Sequence, residues 1–410
     1  MDNGNHRQRS ILAGMRVLDL SRVVAGPLAG QILGDLGADV IKVERPGIGD
    51  DTRRYGPVFA TDVATGQQAD SAYYLAFNRN KRAITVDFAK PEGRDILKQL
   101  AAKCDILIEN YKTGDLAEHG LDYQSLRATC PGLIYCSVTG YGQTGPYAQR
   151  PGMDAVFQAE SGFMHILGAP DAQGIVQPHL SSIVAVDLIT GNNAALAIMA
   201  ALLHRERTGE GQFIDIALMD SAIAFASYGA QQHLISGEQP VLKVPLGPLE
   251  VLQCADGPML LLGTRDPQFI KVCQLLDRPD IPEDPRFKTG ATRHIHRSEL
   301  LEILAPLFKP WKRQDLLDAL AAKGVMAGAL NSVPDALADP QAQHRHMAVA
   351  MPSDRHPDLR VVGSPLKFGA TPPVYDRAPP ALGEHTDEVL RELLKYDDKA
   401  IQTLRQGKVI

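Results

Sequence analysis

The sequence predicts an α/β protein: a larger domain built on a mostly parallel sheet, followed by a smaller α+β domain. Three observations carry this. Apolar runs of strand length alternate with helical patterns through residue 217. Between about Val241 and Leu330 the pattern changes to short strands followed by amphipathic helices. Ser181–Arg207, SSIVAVDLITGNNAALAIMAALLHRER, holds a helix apolar on nearly every face, as expected of a helix in the middle of a core.

Met15–Leu20 (MRVLDL) is the first buried strand. Gly26-Pro27 opens a helix that runs to Leu36 and stops at Gly37, with Pro near the start and Gly past the end. Strand Val40–Val43 completes a βαβ unit. A second unit comprises strand Ala83–Phe88, helix Pro91–Cys104 and strand Asp105–Asn110; strand Leu133–Thr139 then precedes the turn-rich GYGQTGP. This alternation implies a parallel sheet covered on both faces, with ligands beyond the carboxyl ends of its strands. Ser21–Gly26, Glu44–Gly49, Asn110–Gly114 and Thr139–Gly145 are therefore expected to surround a site.

After the apolar helix come strand Gln212–Ala217 and a helix from Met219. In the smaller domain, strands Glu250–Cys254 and Met259–Gly263 precede helices Pro267–Leu276, Ser298–Phe308 and Arg313–Lys323. Ser332–Arg345 and the strand-like Met347–Met351 lead into TPPVYDRAPPALGEHT. That proline-rich passage is expected to carry a final charged helix from Asp387 back to the first domain or to a partner. The expected boundaries are 1–225, 240–335 and 336–410.

The totals narrow the function. A length of 410 residues fits about two or three domains. The 42 basic residues are scattered among 48 acidic ones, for a formal charge of −6 without a basic block, which argues against nucleic-acid and membrane-surface roles. The five cysteines form no CxxC pair and lie in apolar settings, as buried thiols of a reducing, cytoplasmic compartment do. Met1–Arg9 lacks the apolar stretch of a secretion signal. A nicotinamide cofactor is not expected, because SRVVAGPLAG lacks the closely spaced glycines that let backbone approach a pyrophosphate. No Walker A, G-x-S-x-G or H-E-x-x-H sequence is present, and the pairs His294/His296 and His344/His346 suit solvated loops better than a metal.

Three cationic clusters meet predicted strand ends: Lys42 with Arg45, Arg53 with Arg54, and Arg79, Lys81 and Arg82 in NRNKRA. They suit a phosphorylated ligand, and equally an ordinary charged rim. One carboxylate stands out at the start of the apolar helix. Asp187 follows Ile183–Val186, and no charge appears from Asn193 to Leu203, a run too short to span a bilayer. An Asp there is first of all an N-cap. It is also an anion near free N–H groups and the positive end of a dipole, where it is expected to stay ionised.

At longer range the chain carries a resemblance. GMRVLDLSRVVAGPLAGQILGDLGADVIKVERPGIGDDTRRYGP, YYLAFNRNKRAITVDF, DILIENYKTGDLAEHGLDY and LIYCSVTGYGQTGPYAQRPGMDAVFQAESGFMHILG resemble successive blocks of the family III CoA-transferases, the CaiB/BaiF family. The likeness runs from about residue 11 to PPALGEHTDEVLRELLKYDD near the C-terminus. DDTRRYGP, YCSVTGYGQTGP and VDLITG are most similar to the succinyl-CoA:glutarate type, which acts on dicarboxylates.

The resemblance implies an interlocked homodimer of ring-like chains. Each would have a Rossmann-like large domain built from both chain ends and a small domain from the middle. It implies that the aspartate of AVDLITG, Asp187, is the nucleophile that attacks an acyl-CoA thioester. Coenzyme A enters as substrate, and neither metal nor nicotinamide is implied. By the family's pattern Val24 and Ala25 line the thiol arm and Arg45 meets the phosphorylated end. Val86, Asp87, Asn110 and Tyr111 bracket the adenine nucleotide, and Arg150 to Met153 close over the pantetheine.

Several positions depart from the formyl-CoA:oxalate members, which have Gln at Val24, Tyr at Met153 and Arg at Glu118. Their run of glycines is replaced here by LKVPLGPLEV. Racemases of the same family use a His–Asp acid/base pair, and their His slot is Met153 here, so one base is missing. A racemase or a catalytically inactive CoA-binding protein are the alternatives. For a dicarboxylate acceptor, the planar fork of Arg53 or Arg54 is the expected holder of the distal carboxylate.

Overall fold

The structure, a computed structural model, describes residues 9–171, 173, 175–240, 248–263 and 265–410. Most of LKVPLGPLEV, residues 242–247, lies outside the described residues. The chain divides into two units, Met1–Glu238 with His346–Ile410, and Gln239–Arg345.

The first unit is built on a six-stranded sheet of β1 (Arg16–Asp19), β2 (Asp39–Glu44), β3 (Lys81–Thr85), β4 (Ile106–Glu109), β5 (Ile134–Thr139) and β6 (Phe213–Ala217). Every pairing is parallel, in the order β6-β5-β4-β1-β2-β3. That is the doubly wound arrangement, whose order reverses between β1 and β4. All residues of β4 and β5 are buried. Their sequences accordingly open on unbroken apolar runs, 106–108 and 134–136, rather than alternating.

The helices that matter to the site are α1 (Ala25–Asp35), α2 (Ala72–Phe77), α3 (Pro91–Ala101), α4 (Asp154–Glu160), α5 (Ala185–Thr208), α6 (Leu218–Phe225) and α7 (Ser227–Ser236). On one sheet face Val17, Val40 and Ile106 meet Leu33 of α1 and Ala194 and Ile198 of α5. On the other, Leu18, Ile84 and Leu107 meet Ile96 and Leu100 of α3, together with Val389 and Ile401 from helices Thr386–Leu394 and Asp398–Gln406. The proline-rich passage returns to this sheet by backbone bonds: Val374 N–H to Asp35 O, and His385 N–H to Ala83 O, both 2.9 Å.

Helix α5 corrects one expectation. It begins at Ala185 and runs 24 residues, long enough and apolar enough to cross a membrane by composition alone. Its buried face, Val186, Thr190, Gly191, Ala194, Ile198 and Ala201, is a single stripe. The opposite side is open, with Leu196 70% and Leu203 50% exposed. The small residues decide which side is buried. A Cβ on Gly191 would lie 2.6 Å from the Ala25 carbonyl oxygen and 3.1 Å from Leu28 Cβ, so this glycine sets the closeness of α5 and α1.

The hairpin Phe59–Thr61/Gln68–Ser71, helix α2 and helix α4 have no counterpart in the sequence reading. Their sequences are polar or too short for a periodic signal. The second unit sets antiparallel strands Leu249–Cys254, Gly257–Leu262 and Met326–Ala329 beside helices Asp266–Leu275, Arg297–Phe308 and Arg313–Ala322. Leu252, Met259, Phe269, Leu304 and Phe308 fill its core.

Gly191→Ala is expected to cost about 1–3 kcal/mol of unfolding free energy, the range for overpacking a tight contact. The midpoint of urea denaturation reads it, and an unmoved midpoint would refute the close contact.

Candidate active site

The carboxyl ends of β1, β2, β3 and β4 enclose a cavity of about 420 Å³. It lies at the reversal of strand order, where open α/β sheets bind their ligands. Arg45, Val86, Asp87 and Tyr111 line it, joined by Arg22 and Phe88. The Tyr111 ring meets Phe88 edge-on at 5.4 Å and lies 5.7 Å from the Arg22 guanidinium. Asn110 spans the reversal: its Oδ1 accepts the Arg22 N–H at 2.9 Å and its Nδ2 donates to the Arg22 carbonyl at 2.7 Å. A second cavity, about 310 Å³, is lined by Glu109, Tyr123, Tyr135 and Phe213 together with Lys112, Thr113, Gly114 and Gln143 of two of the expected loops, while Asp187 and the residues expected to contact CoA do not line it.

The loop after β1 is held from all sides. Val23, a β-branched residue, sits at φ 71°, a conformation that persists only where the surroundings impose it. Its N–H donates to Asp50 Oδ1 at 3.3 Å, and Lys42 Nζ donates to both the Ser21 carbonyl at 2.9 Å and Asp50 Oδ2 at 2.8 Å. Burial alone would raise the Asp50 carboxyl, but Lys42 and the Thr52 bonds bring it down to about 2. This framework delivers the buried Val24 and Ala25 to the first turn of α1.

The cation clusters, apart from Arg45 and Arg54, are not a rim. Lys42 is fully buried against Asp50, Lys81 against Asp19 at 2.9 Å, and Arg79 against Asp35 at 2.5 Å. Arg82 pairs with Asp39, Glu388 and Glu392. Arg53, expected to bind substrate, has a side chain only 7% exposed. Its fork is occupied by Glu44 at 2.6 and 2.8 Å, Asp70 at 2.7 Å, the Tyr74 hydroxyl and the Pro380 carbonyl. A buried guanidinium held by two carboxylates, a hydroxyl and a carbonyl is committed to the fold rather than open to an acid. Arg54 differs: its side chain is 55% exposed, with only Asp51 and the Ile48 carbonyl as partners among the described residues.

Asp187 corrects the reading of its own position. The N-cap of α5 is Val184, which supplies no side-chain bond, and Asp187 lies inside the first turn. The cap comes from another helix. Asp154 of α4 accepts the Val186 N–H at 2.8 Å and the Asp187 N–H at 3.0 Å through Oδ2. Phe157 seats α4 there; a Cβ on Gly152 or Gly140 would lie 2.2 or 2.6 Å from its ring. The N–H groups that were to keep Asp187 ionised are thus consumed by a second carboxylate. Burial and then the Asp154 charge push the Asp187 carboxyl up to about 7, instead of holding it low. No hydrogen bond to the Asp187 carboxylate offsets this among the described residues.

Tyr73 of α2 completes this surrounding. Burial, then Asp187, then Asp154 raise its hydroxyl above the ordinary range, so both carboxylates act on it. It also meets Tyr55 edge-on at 5.8 Å. Sequence reasoning passed over Tyr73, and over Asp154 except as the neighbour of a missing histidine. Arg150 is exposed, with its guanidinium 3.6 Å from the Tyr147 ring, and Met153 is 60% exposed. Neither touches the strand-end cavity. Among the described residues, no group of His, Cys, Asp and Glu could hold a metal ion.

A parallel, doubly wound sheet with a cavity and exposed arginines at its strand ends places the chain among the ligand-binding α/β proteins. The family described as CoA-transferase family III matches residues 12–386, so the chain belongs to it. It is 43% identical to the succinate–glutarate CoA-transferase of Agrobacterium fabrum over 386 residues, 93% of this chain and 95% of that protein. It is 40% identical to the human succinyl-CoA:glutarate CoA-transferase over 403 residues, 97% of this chain and 90% of that one. The crystal structure of a CaiB/BaiF family protein from Brucella suis superposes with a TM-score of 0.86 at 40% identity, covering 94% of this chain and all of that one.

The raised Asp187 pKa predicts a stability effect with a definite sign. Its folded value lies above its unfolded value, so the folded protein binds the extra proton and wild-type stability falls as pH rises from about 4 through 7. Asp187→Asn is therefore expected to be more stable than wild type at pH 8 by on the order of 2–3 kcal/mol, after a discount for partial exposure. Paired denaturation curves should converge near pH 4; a constant gap would refute the assignment.

Proposed function

We propose that this enzyme moves CoA from succinyl-CoA to a short dicarboxylate such as glutarate, with Asp187 as the nucleophile. The observation that carries the reading is a poorly solvated, unbonded carboxylate in the AVDLITG block, beside the α1 turn that starts at Val24 and Ala25. The similar proteins from Agrobacterium fabrum and human, named for succinate or succinyl-CoA and for glutarate, support the choice of acids.

An Asp187 oxygen attacks the thioester carbonyl carbon; a C–O bond forms, the C–S bond breaks, and CoA leaves as thiolate. The acyl-aspartyl anhydride that results is attacked at the aspartyl carbonyl by the same thiolate, which releases the donor acid and leaves an aspartyl-CoA thioester. The acceptor carboxylate repeats the sequence in reverse and departs as the new acyl-CoA. A carboxylate nucleophile suits this because each intermediate stays as reactive as the thioester it replaced.

In this reading the nucleotide end of CoA lies in the strand-end cavity against Val86, Asp87 and Tyr111, beside Asn110, with Arg45 on its phosphates. The thiol arm passes Val24 and Ala25, under Arg150 and Met153. Arg54 takes the distal carboxylate of the acceptor. It is exposed and follows directly in sequence on Arg53 and before Tyr55, the ring partner of Tyr73. Two chains pair as an interlocked homodimer, which would cover apolar side chains left open on α5 and α7, Leu196, Leu234 and Ile235. A monomer in sedimentation equilibrium at micromolar concentration would rule the dimer out.

The direct test incubates the enzyme with succinyl-CoA and a panel of unlabelled short dicarboxylates and identifies the CoA esters by mass spectrometry. New esters are expected from wild type and none from Asp187→Ala. Arg54→Leu is expected to raise the acceptor KM about tenfold, the worth of one charge-assisted bond, with the succinyl-CoA KM little changed. CoA bound without any exchange would point to a racemase or a non-catalytic binder.

A further inference from the structure

We infer that Asp154 and Gln158 act as a positioning pair that holds the nucleophile while the Asp154 charge drives its acylation. This rests on the reading of Asp187 as nucleophile. The two side chains lie one turn apart on α4, both buried, and together they grip the backbone that leads into α5. Gln158 Oε1 accepts the Ser181 N–H at 3.0 Å, and its Nε2 donates to the Ile183 carbonyl at 3.3 Å and to Asp154 Oδ1. Asp154 Oδ2 then takes the Val186 and Asp187 N–H groups. Four backbone groups between Ser181 and Asp187 are thereby fixed by one face of one short helix.

A neutral residue such as Asn or Ser would cap a helix as well as Asp does, so capping alone does not call for a charge here. The charge has a chemical use. In the Asp187 carboxylate state this anion stands beside a second one that is hydrogen-bonded to its own backbone N–H, a costly arrangement in a partly buried site. When the Asp187 oxygen bonds to the acyl carbon, the C–S electron pair leaves with sulfur, and one negative charge departs from the carboxylate pair. The repulsion that raised the starting state is absent from the anhydride and from the aspartyl-CoA thioester. Acylation is accelerated by the relief, and the covalent states gain at the expense of the free carboxylate.

The other groups packed around Asp187 do not provide this effect. Tyr73 of α2 is neutral, and its hydroxyl is pushed further from ionisation by the two carboxylates. The α1 turn contributes the uncharged Val24 and Ala25. On α6, Asp220 is exposed to solvent, and on β6, Asp215 accepts the Gln143 N–H.

The test is Asp154→Asn, which removes the charge and keeps the shape. Its amide sets a donor against Gln158 Nε2, so Asp154→Ser is run beside it in case the first does not fold. Two readouts are followed: the pH dependence of the first half-reaction with succinyl-CoA, and the fraction of enzyme held as covalent adduct at equilibrium, by intact-protein mass spectrometry. Loss of the charge is expected to move the acid limb down by about one pH unit and to lower the adduct-to-free ratio about tenfold, one pKa unit being a factor of ten. Asp154→Glu, which restores the charge, is expected to recover both. A folded neutral variant with the wild-type acid limb and adduct fraction overturns the inference. Asp187→Ala alongside separates the two ideas: transfer surviving in it defeats the nucleophile reading, whereas its silence beside a wild-type profile in Asp154→Asn defeats only this one.

Discussion

The constraint on which this site depends is a half-buried carboxylate beside a second carboxylate. An ordinary helix start would have given Asp187 free N–H groups and a low pKa. Here Asp154 takes those N–H groups, and burial with the Asp154 charge makes the ionised state of Asp187 unfavourable. Such an arrangement survives only where packing leaves no alternative. Gly191 brings α5 onto α1 one turn further on, and Phe157 anchors α4 against two glycines, so neither helix can shift to relieve the pair.

Beneath the strand ends a second electrostatic layer serves the loops. Lys42–Asp50, Lys81–Asp19, Arg79–Asp35 and Arg53 with Glu44 and Asp70 are buried ion pairs. Pairs of this kind add little net stability relative to apolar packing, but removing one partner is expensive, so they specify geometry strongly. Lys42–Asp50 in particular specifies the course of the loop after β1, including the strained Val23. Of the three cation clusters noted in the sequence, only Arg45 and Arg54 stay exposed.

The large elements were legible because their signals are local. β4 and β5 open on unbroken apolar runs because both faces are covered, and α1 carries its own punctuation of Pro and Gly. The Phe59–Thr61/Gln68–Ser71 hairpin and α4 were not legible, since polar residues and short length leave no periodicity to detect. NRNKRA shows the limit for charge: the sequence displays three cations close to a strand, but whether Asp35, Asp19 and Asp39 wait opposite them depends on pairings across 40 or more residues.

The sequence alone therefore determined the α/β class and the family, and it singled out Asp187 as the candidate nucleophile. Each follows from periodicity, backbone chemistry or strings of residues contiguous in the chain. Tertiary structure decided the packing and the electrostatics: that Arg53 is buried against Glu44 and Asp70, that α5 is buried on one stripe, and that burial and Asp154 push the Asp187 carboxyl up. A pKa is set by what lies within a few ångströms, and the partner that matters most to Asp187 is 33 residues away in the chain, on a helix the sequence did not reveal.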